Sequence, residues 1–339
     1  MADIFVAGET LVDFVPDSGA TLREVDGYTH RPGGAPANVA VGLARLGSPP
    51  AFWTRLGDDS FGEFLAETLA AEGIPETHVE RVDGKTTLAV VSPPGAAGPR
   101  FGFYGSRDVT FGFDPESVPT DALTAEGTAE STERPTDPPW VHLGGVALTH
   151  PGGRAATREL LSAATAAGRP VSFDVNYRSD LVPDGAEAAV STAVREAVAE
   201  SDVVLCSDED VAAAGLSTND GVELARDLIE FGPHTAVVTT GDEGALAVSS
   251  NAAPWGAATV RHGGFAVEAV DATGAGDAFT AGLLSRLAGA QASEDGDEEP
   301  LREALAFGNA TAALSVGSVG GMGSVPARDE VRAFLAERE

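Results

Sequence analysis

The segment 269–284, AVDATGAGDAFTAGLL, sets a carboxylate, Asp277, directly behind a Gly-Ala-Gly turn and at the head of a small-residue helix. Gly274 and Gly276 in such a turn leave backbone N–H groups aimed outward at the positive end of a helix, which is an anion site. An acid inside an anion site repels the ligand unless the carboxylate faces something else. One such task is to accept the proton of a hydroxyl as that hydroxyl attacks a phosphoryl group. The plainer account makes Asp277 a helix cap, and on the turn alone cap and base weigh equally. The turn is not the dinucleotide pattern, because Phe279 stands where the third glycine belongs, and it is not a Walker A loop, because no Lys-Ser/Thr follows.

A second constellation lies near the start of the chain. RPGGAPANVAVGLARLG (31–47) puts two glycines and Asn38 at the head of a helix, and AGETLVDF (7–14) ends the first strand with Asp13 projecting beyond it. Asn38 and Asp13 are hydrogen-bonding groups at strand and helix ends, as a polyol ligand requires. Taken singly, Asn38 is also an ordinary first-turn residue and Asp13 an ordinary surface acid.

These residues need elements to hold them. IFVAG (4–8), AFWTRLG (51–57), WVHLGG (140–145), PVSFDVN (170–176), DVVLCS (202–207) and TAVVTTG (235–241) are short apolar runs that predict buried strands. Segments 36–46, 60–72, 155–167, 185–199, 220–230, 277–289 and 301–316 have helical period between them. The alternation predicts an α/β fold with a central, mostly parallel sheet flanked by helices, with ligands outside the carboxyl ends of its strands. Segment 84–112 has two β-rich runs around a Pro/Gly turn and predicts a hairpin standing off the main sheet, a small β-rich lid. The polar, acidic stretches 120–139 and 291–300 read as surface loops.

Composition bounds the partners. The 339 residues carry 52 acids against 21 bases, a formal net charge of -31, and Lys85 is the only lysine. That field repels nucleic acid and anionic membrane. The acids are spread along the chain among apolar segments, which argues for a folded surface adapted to concentrated salt rather than for disorder. No apolar run is long enough to span a bilayer, MADIFVAGET lacks the pattern of a secretion signal, and Cys206 is the only cysteine, so a reducing cytoplasm is expected.

Together GGAPANVAVGLARLG and DATGAGDAFTAGLL resemble, in order and spacing, the two signatures of the PfkB (ribokinase-like) carbohydrate kinases. GDDSFGEFLAETLAAEGI (57–74), FDVNYRSDL (173–181), LCSDEDVAAAG (205–215), VVTTGDEGAL (237–246) and GGMGSVP (320–326) extend the likeness over nearly the whole chain. The resemblance implies one ribokinase-like domain over 1–339, with a lid formed by parts of 10–32 and 84–112, and transfer of the ATP γ-phosphoryl group to a sugar hydroxyl. It implies that Asp277 is the base, that Gly274, Ala275 and Gly276 form the anion hole, and that Arg178 lies near the phosphates. Asp13, Gly33, Gly34 and Asn38 match sugar-binding positions. Ser207, Thr239, Gly241 and Gly244 match the nucleotide loops, and Gly308, Asn309 and Ala312 the adenine pocket. Asp271, Thr273 and Ser324 match oxygen ligands of a potassium ion (K+). Small-molecule sugar and ATP are the implied partners, with a homodimer through the lid.

The chain departs from the family pattern at two places. Ser207-x-x-Asp210 stands where Asn-x-x-Glu often governs magnesium (Mg2+) through water, and Asp210 inherits that role. Phe103-Tyr104-Gly105 stands where a lid Tyr-Arg is often found, which leaves Tyr104 and Arg107 as the expected lid contacts to the sugar, the alternative being that the arginine contact is lost. GGAPANVA looks most like fructokinases, which favours a neutral ketohexose. The alternatives are a 2-keto-3-deoxygluconate kinase and, in a different class, a non-catalytic sugar-binding protein of the same fold.

Overall fold

The computed structural model describes residues 4–18, 21–93, 101–124, 140–288 and 298–338. Most of the acidic stretch 120–139, and 291–297 of the second, lie outside the described residues. In chain order the strands are β1 (Ile4–Ala7), β2 (Leu11–Pro16), β3 (Tyr28–Gly33), β4 (Ala51–Gly57), β5 (Val79–Val82), β6 (Leu88–Val91), β7 (Phe101–Tyr104), β8 (Trp140–Gly144), β9 (Val171–Asp174), β10 (Val203–Ser207), β11 (Thr235–Thr239), β12 (Ala245–Ser249) and β13 (Ala258–His262). The helices are α1 (Ala35–Arg45), α2 (Ser60–Ala71), α3 (Arg107–Thr110), α4 (Thr120–Thr124), α5 (Pro151–Ala166), α6 (Glu187–Ala199), α7 (Asp208–Ala214), α8 (Gly221–Glu230), α9 (Ala275–Leu287), α10 (Glu299–Ser315) and α11 (Arg328–Ala336).

Nine strands form the main sheet in the order β13-β12-β11-β10-β9-β8-β1-β4-β5. Every neighbouring pair from β11 to β5 is parallel, and β12 runs antiparallel to both β11 and β13. The period of two in the strands sorts their side chains between two cores. Ile4 and Val6 of β1, with Val203 and Leu205 of β10, pack with residues of α1, α9 and α10. Phe5 and Ala7, with Val204 and Cys206, pack with residues of α5, α6 and α8 on the other face. Burial on both faces is why these strands read as unbroken apolar runs.

All six predicted strands are present. The sequence reading missed β2, β3, β5, β12 and β13, and Asp13, expected to project from the end of the first strand, lies instead in the middle of β2 because the chain leaves the main sheet after β1. The β11–β12 hairpin turns through Thr240–Gly244, with Thr240 N–H donating to Gly244 O at 2.9 Å. Gly244 has φ +87°, and a Cβ there would stand 2.1 Å from His262 O. Its glycine therefore closes a hairpin, a turn signal that the sequence reading assigned wholly to a nucleotide loop.

A separate four-stranded sheet has the order β3-β2-β6-β7, with antiparallel outer pairs and β2 parallel to β6. It joins the predicted 84–112 hairpin to the strands of 11–16 and 28–33. Residues 94–100, the predicted hairpin turn, lie outside the described residues. Phe14 and His30 rest edge-on against Phe61 and Phe64 of α2, with ring centroids 5.7 and 5.1 Å apart, which holds the small sheet to the main body.

α1 and α9 lie side by side and both direct their N-termini to the carboxyl edge of the main sheet. Their approach depends on Gly42, where a Cβ would fall 2.6 Å from Ala281 Cβ. The contact of α9 with α10 is as close, since a Cβ on Gly282 would fall 2.9 Å from Gly308 Cα. Gly42→Leu is expected to cost about 1–3 kcal/mol by overpacking this contact. Urea denaturation at fixed KCl concentration checks it, with the midpoint moving down at unchanged slope.

Candidate active site

α9 begins without a side-chain cap. Gly274 occupies the N-cap position with φ +77°, and a Cβ on it would fall 2.6 Å from Gly321 Cα, so both conformation and space require glycine. Ala275 N–H closes the turn on Ala272 O at 3.1 Å, and Ala278 N–H makes the first intrahelical bond, to Gly274 O at 2.9 Å. The N–H groups of Gly276 and Asp277 lie in the first turn, where the helix has no carbonyl to receive them. A Cβ on Gly276 would meet nothing within 4 Å. The space before it is open, as the close approach of an anion to backbone requires.

The Asp277 side chain does not cap its own helix. Its Oδ2 accepts a 2.7 Å hydrogen bond from Asn38 Nδ2, in the first turn of α1, across 239 positions of sequence. The cap account weighed from the sequence therefore fails on geometry: the acid faces across the cleft rather than back along α9.

Asp277 is one of four desolvated acids at this edge. Glu9, beyond the end of β1, is 2% exposed, and its Oε2 is buried without a hydrogen-bond partner. Burial, opposed by backbone N–H groups of Glu9 and Ala35 and reinforced by the charge of Asp277, pushes its carboxyl up to about 8. Burial and then Asp277 push Asp13 up to about 7. Asp174, at the end of β9, is pushed up to about 8 by burial and by Asp210 and Asp277, against Arg178. Asp277 itself reaches only about 6, because the Asn38 hydrogen bond and Arg178 oppose its burial. Near neutral pH Asp277 is thus the most ionised of the four, with Glu9 and Asp174 largely protonated and Asp13 about half so.

Arg178 follows β9 and is half-exposed, and its Nη1 lies 4.0 Å from Asp210 Oδ1. Ser207 caps α7: its Oγ accepts from Asp210 N–H at 3.1 Å and donates to Asp210 Oδ2 at 2.8 Å. Asp13 packs against Gly33, where a Cβ would fall 2.1 Å from its Oδ2, and Gly34 has φ +107° with its Cβ position 2.5 Å from Glu9 O. Asp13, Gly33, Gly34, Asn38, Asp277 and Arg178 therefore come from distant segments to one place.

Other expected residues lie apart from Asp277. Thr239 Oγ1 donates to Cys206 O at 3.3 Å, and Gly241 has φ +61° at the β11 exit. Gly308 and Asn309 are buried, with Gly308 against the Phe279 ring and Asn309 Nδ2 donating to Leu305 O at 2.8 Å, while Ala312 packs on the same core. Tyr104 is 62% exposed at the end of β7. Arg107 Nη2 is turned to Leu181 O. Asp271 accepts Thr273 N–H and Gly320 N–H, each at 2.9 Å, and Ser324 Oγ donates to Gly321 O at 3.0 Å. Burial raises the Asp271 pKa, but those N–H groups and Arg31 outweigh it and hold the carboxyl below its usual range.

The sequence reading passed over Glu9 and Asp174. The signal for each was an acid at the end of a buried apolar strand, submerged in a chain with 52 acids.

The four raised values have a stability consequence. Each carboxyl ionises at higher pH folded than unfolded, so the folded chain binds more protons across roughly pH 4 to about 8. Their contribution to stability is complete at the acid end and is lost as pH rises through the folded values. Glu9→Gln, which cannot ionise, is expected to melt near the wild type at acid pH and above it at alkaline pH. Thermal unfolding of both proteins at fixed KCl, from acid to alkaline pH, checks this, and a difference independent of pH contradicts it.

The whole chain is similar to sugar kinases. Residues 1–328 match the pfkB family carbohydrate kinase. A fructokinase of Escherichia coli is 33% identical over 97% of this chain and 98% of its own length. The crystal structure of fructokinase from Vibrio cholerae with fructose, ADP and calcium ion bound superposes with TM-score 0.82 at 30% identity, over 99% of each chain. That of fructokinase from Xylella fastidiosa with bound ATP gives TM-score 0.84 at 27% identity, again over 99% of each. With two helix N-termini meeting at a desolvated aspartate and this likeness running end to end, the chain belongs to the pfkB family of carbohydrate kinases.

Proposed function

We propose that the protein is an ATP-dependent ketohexose kinase, with fructose as the sugar. The observation that carries the reading is the Asp277 carboxylate, held by Asn38 beside the open N–H groups that start α9. A base and an anion hole at one helix end suit phosphoryl transfer to a hydroxyl. The sugar O–H gives its proton to Asp277, its oxygen bonds to the γ-phosphorus, and the bond to the β-phosphate oxygen breaks, releasing ADP. The N–H groups of Gly276 and Asp277, with the Arg178 guanidinium, face the charge on the transferred group. Asp13, Gly33, Gly34 and Asn38 hold the sugar, Ser207, Thr239, Gly241 and Gly244 the nucleotide, and Gly308, Asn309 and Ala312 border the adenine.

Asp210, with one oxygen on Ser207 and the other toward Arg178, fits a role in ordering water around magnesium. That ion would neutralise phosphate charge. A neutral sugar suits the place better than a sugar acid: Asp277, the most ionised of the four carboxyls, lies there, and the Arg107 guanidinium is turned to a backbone carbonyl. The small sheet, with Tyr104 at its edge, acts in this reading as a lid that excludes water, and a second copy pairs through it. The net charge of -31 suits a cytoplasm of concentrated salt.

Coupled ADP release in concentrated KCl is expected with fructose and not with 2-keto-3-deoxygluconate. Asp277→Asn is expected to lose at least about 10²–10⁴-fold in turnover with fructose and nucleotide binding retained. Retained turnover in that variant contradicts the base, and nucleotide and sugar binding without any turnover in the wild type identifies a non-catalytic binding protein. Asp271, Thr273 and Ser324 would ligate potassium beside the anion hole. Turnover is therefore expected to fall when KCl is replaced at equal ionic strength by a large organic cation that keeps the protein folded, and equal turnover excludes a specific site.

A further inference from the structure

Arg31 lies on β3, directly opposite Asp13 of β2, in the small sheet. Its Nη1 donates to the carbonyl of Val319 at 3.1 Å, across 288 positions of sequence. Its Nε is buried without a hydrogen-bond partner. Among the described residues Arg31 makes no ion pair within 4 Å, so this guanidinium is held in place by the loop it touches rather than by an acid.

That loop reaches the catalytic turn within three residues. Val319 receives Arg31. Gly320, at φ +102°, has its Cβ position 3.2 Å from Arg31 Cδ, and its N–H donates to Asp271 Oδ2 at 2.9 Å. Asp271 opens the turn that leads to Gly274, and its other oxygen holds Thr273 N–H. Gly321 then backs both halves of the site: its own Cβ would fall 2.9 Å from Asn38 Nδ2, and that of Gly274 would fall 2.6 Å from its Cα. The backbone here is packed too closely to admit even a methyl group at Gly321 or Gly274, so loop 319–321 and its neighbours have little room to move independently.

We propose that Arg31 is a positioning residue that couples sugar binding on the small sheet to the phosphate-binding turn at Gly274–Asp277, through the 319–321 loop. Sugar seated at Asp13 fixes the β2–β3 pair and with it Arg31. Arg31 fixes Val319, and the two glycines that follow fix Asp271 on one side and Gly274 with Asn38 on the other. Coupling of this kind is reciprocal, so nucleotide must tighten sugar by the factor by which sugar tightens nucleotide.

The inference rests on the cleft's assignment to fructose and ATP, and the measurement separates the two. Dissociation constants for fructose and for a nonreactive ATP analogue are measured calorimetrically, each alone and each in the presence of the other, at fixed KCl. The wild type is expected to show a coupling factor of about 5 or more. In Arg31→Met the factor is expected to fall close to one while each ligand alone binds within about twofold of wild type; Arg31→Lys, which keeps a donor for Val319 O, regains part of it. In the ligand-free protein, Arg31→Met is expected to speed hydrogen exchange in a peptide covering 318–321 with little change elsewhere. An unchanged coupling factor in Arg31→Met overturns the proposal, as does a wild-type factor of one, or a loss confined to the separate affinities. Failure of the wild type to bind fructose overturns the functional reading, and this inference with it.

Discussion

The structure turns on the hydrogen bond from Asn38 to Asp277, because it joins two helix N-termini that the chain separates by 239 positions. α1 and α9 can bring those termini together only by lying in contact, and Gly42 against Ala281 permits that contact. Gly321 behind Asn38 and Gly274 keeps the two side by side. A carboxylate held by a neighbour's amide is free of its own helix, so the N–H groups that it would otherwise cap remain open to an anion. This arrangement leaves a carboxylate and open N–H groups side by side at one helix end.

Charge is the second constraint. Four carboxyls gather at the strand ends, and water is too scarce there for all of them to ionise at neutral pH. Asp277 is favoured for ionisation by its amide donor and by Arg178, while Glu9 and Asp174 hold their protons. The residue types that charge the surface thus take another form in the cleft, where burial favours neutral, protonated carboxyls.

The small sheet stands between these two constraints. It carries Asp13 on β2, rests on α2 through Phe14 and His30, and touches the 319–321 loop through Arg31. It is also seated on buried apolar contacts, Leu11 and Ala89 with Phe111, Val146 and Leu181, and Val12 with Leu56 and Leu65.

The sequence alone determined the layered α/β plan, because strands buried on both faces appear as unbroken apolar runs and the helices between them keep their period. It also determined the two glycine-rich signatures, since the positive φ values at Gly34 and Gly274 suit glycine. β12 and β13 escaped it because two five-residue strands, the first following a glycine turn, are too short to show a period that marks them off from a loop. Where the Asp277 side chain points could not be read from its neighbours, because its partner is Asn38, 239 positions away. Glu9 and Asp174 were indistinguishable from surface acids until the fold removed their water. Arg31 had no signature at all, for its meaning comes from a backbone carbonyl 288 positions away. Local conformation is written in local residues, but protonation and long-range contact depend on what the completed fold brings near, and that only the tertiary structure decides.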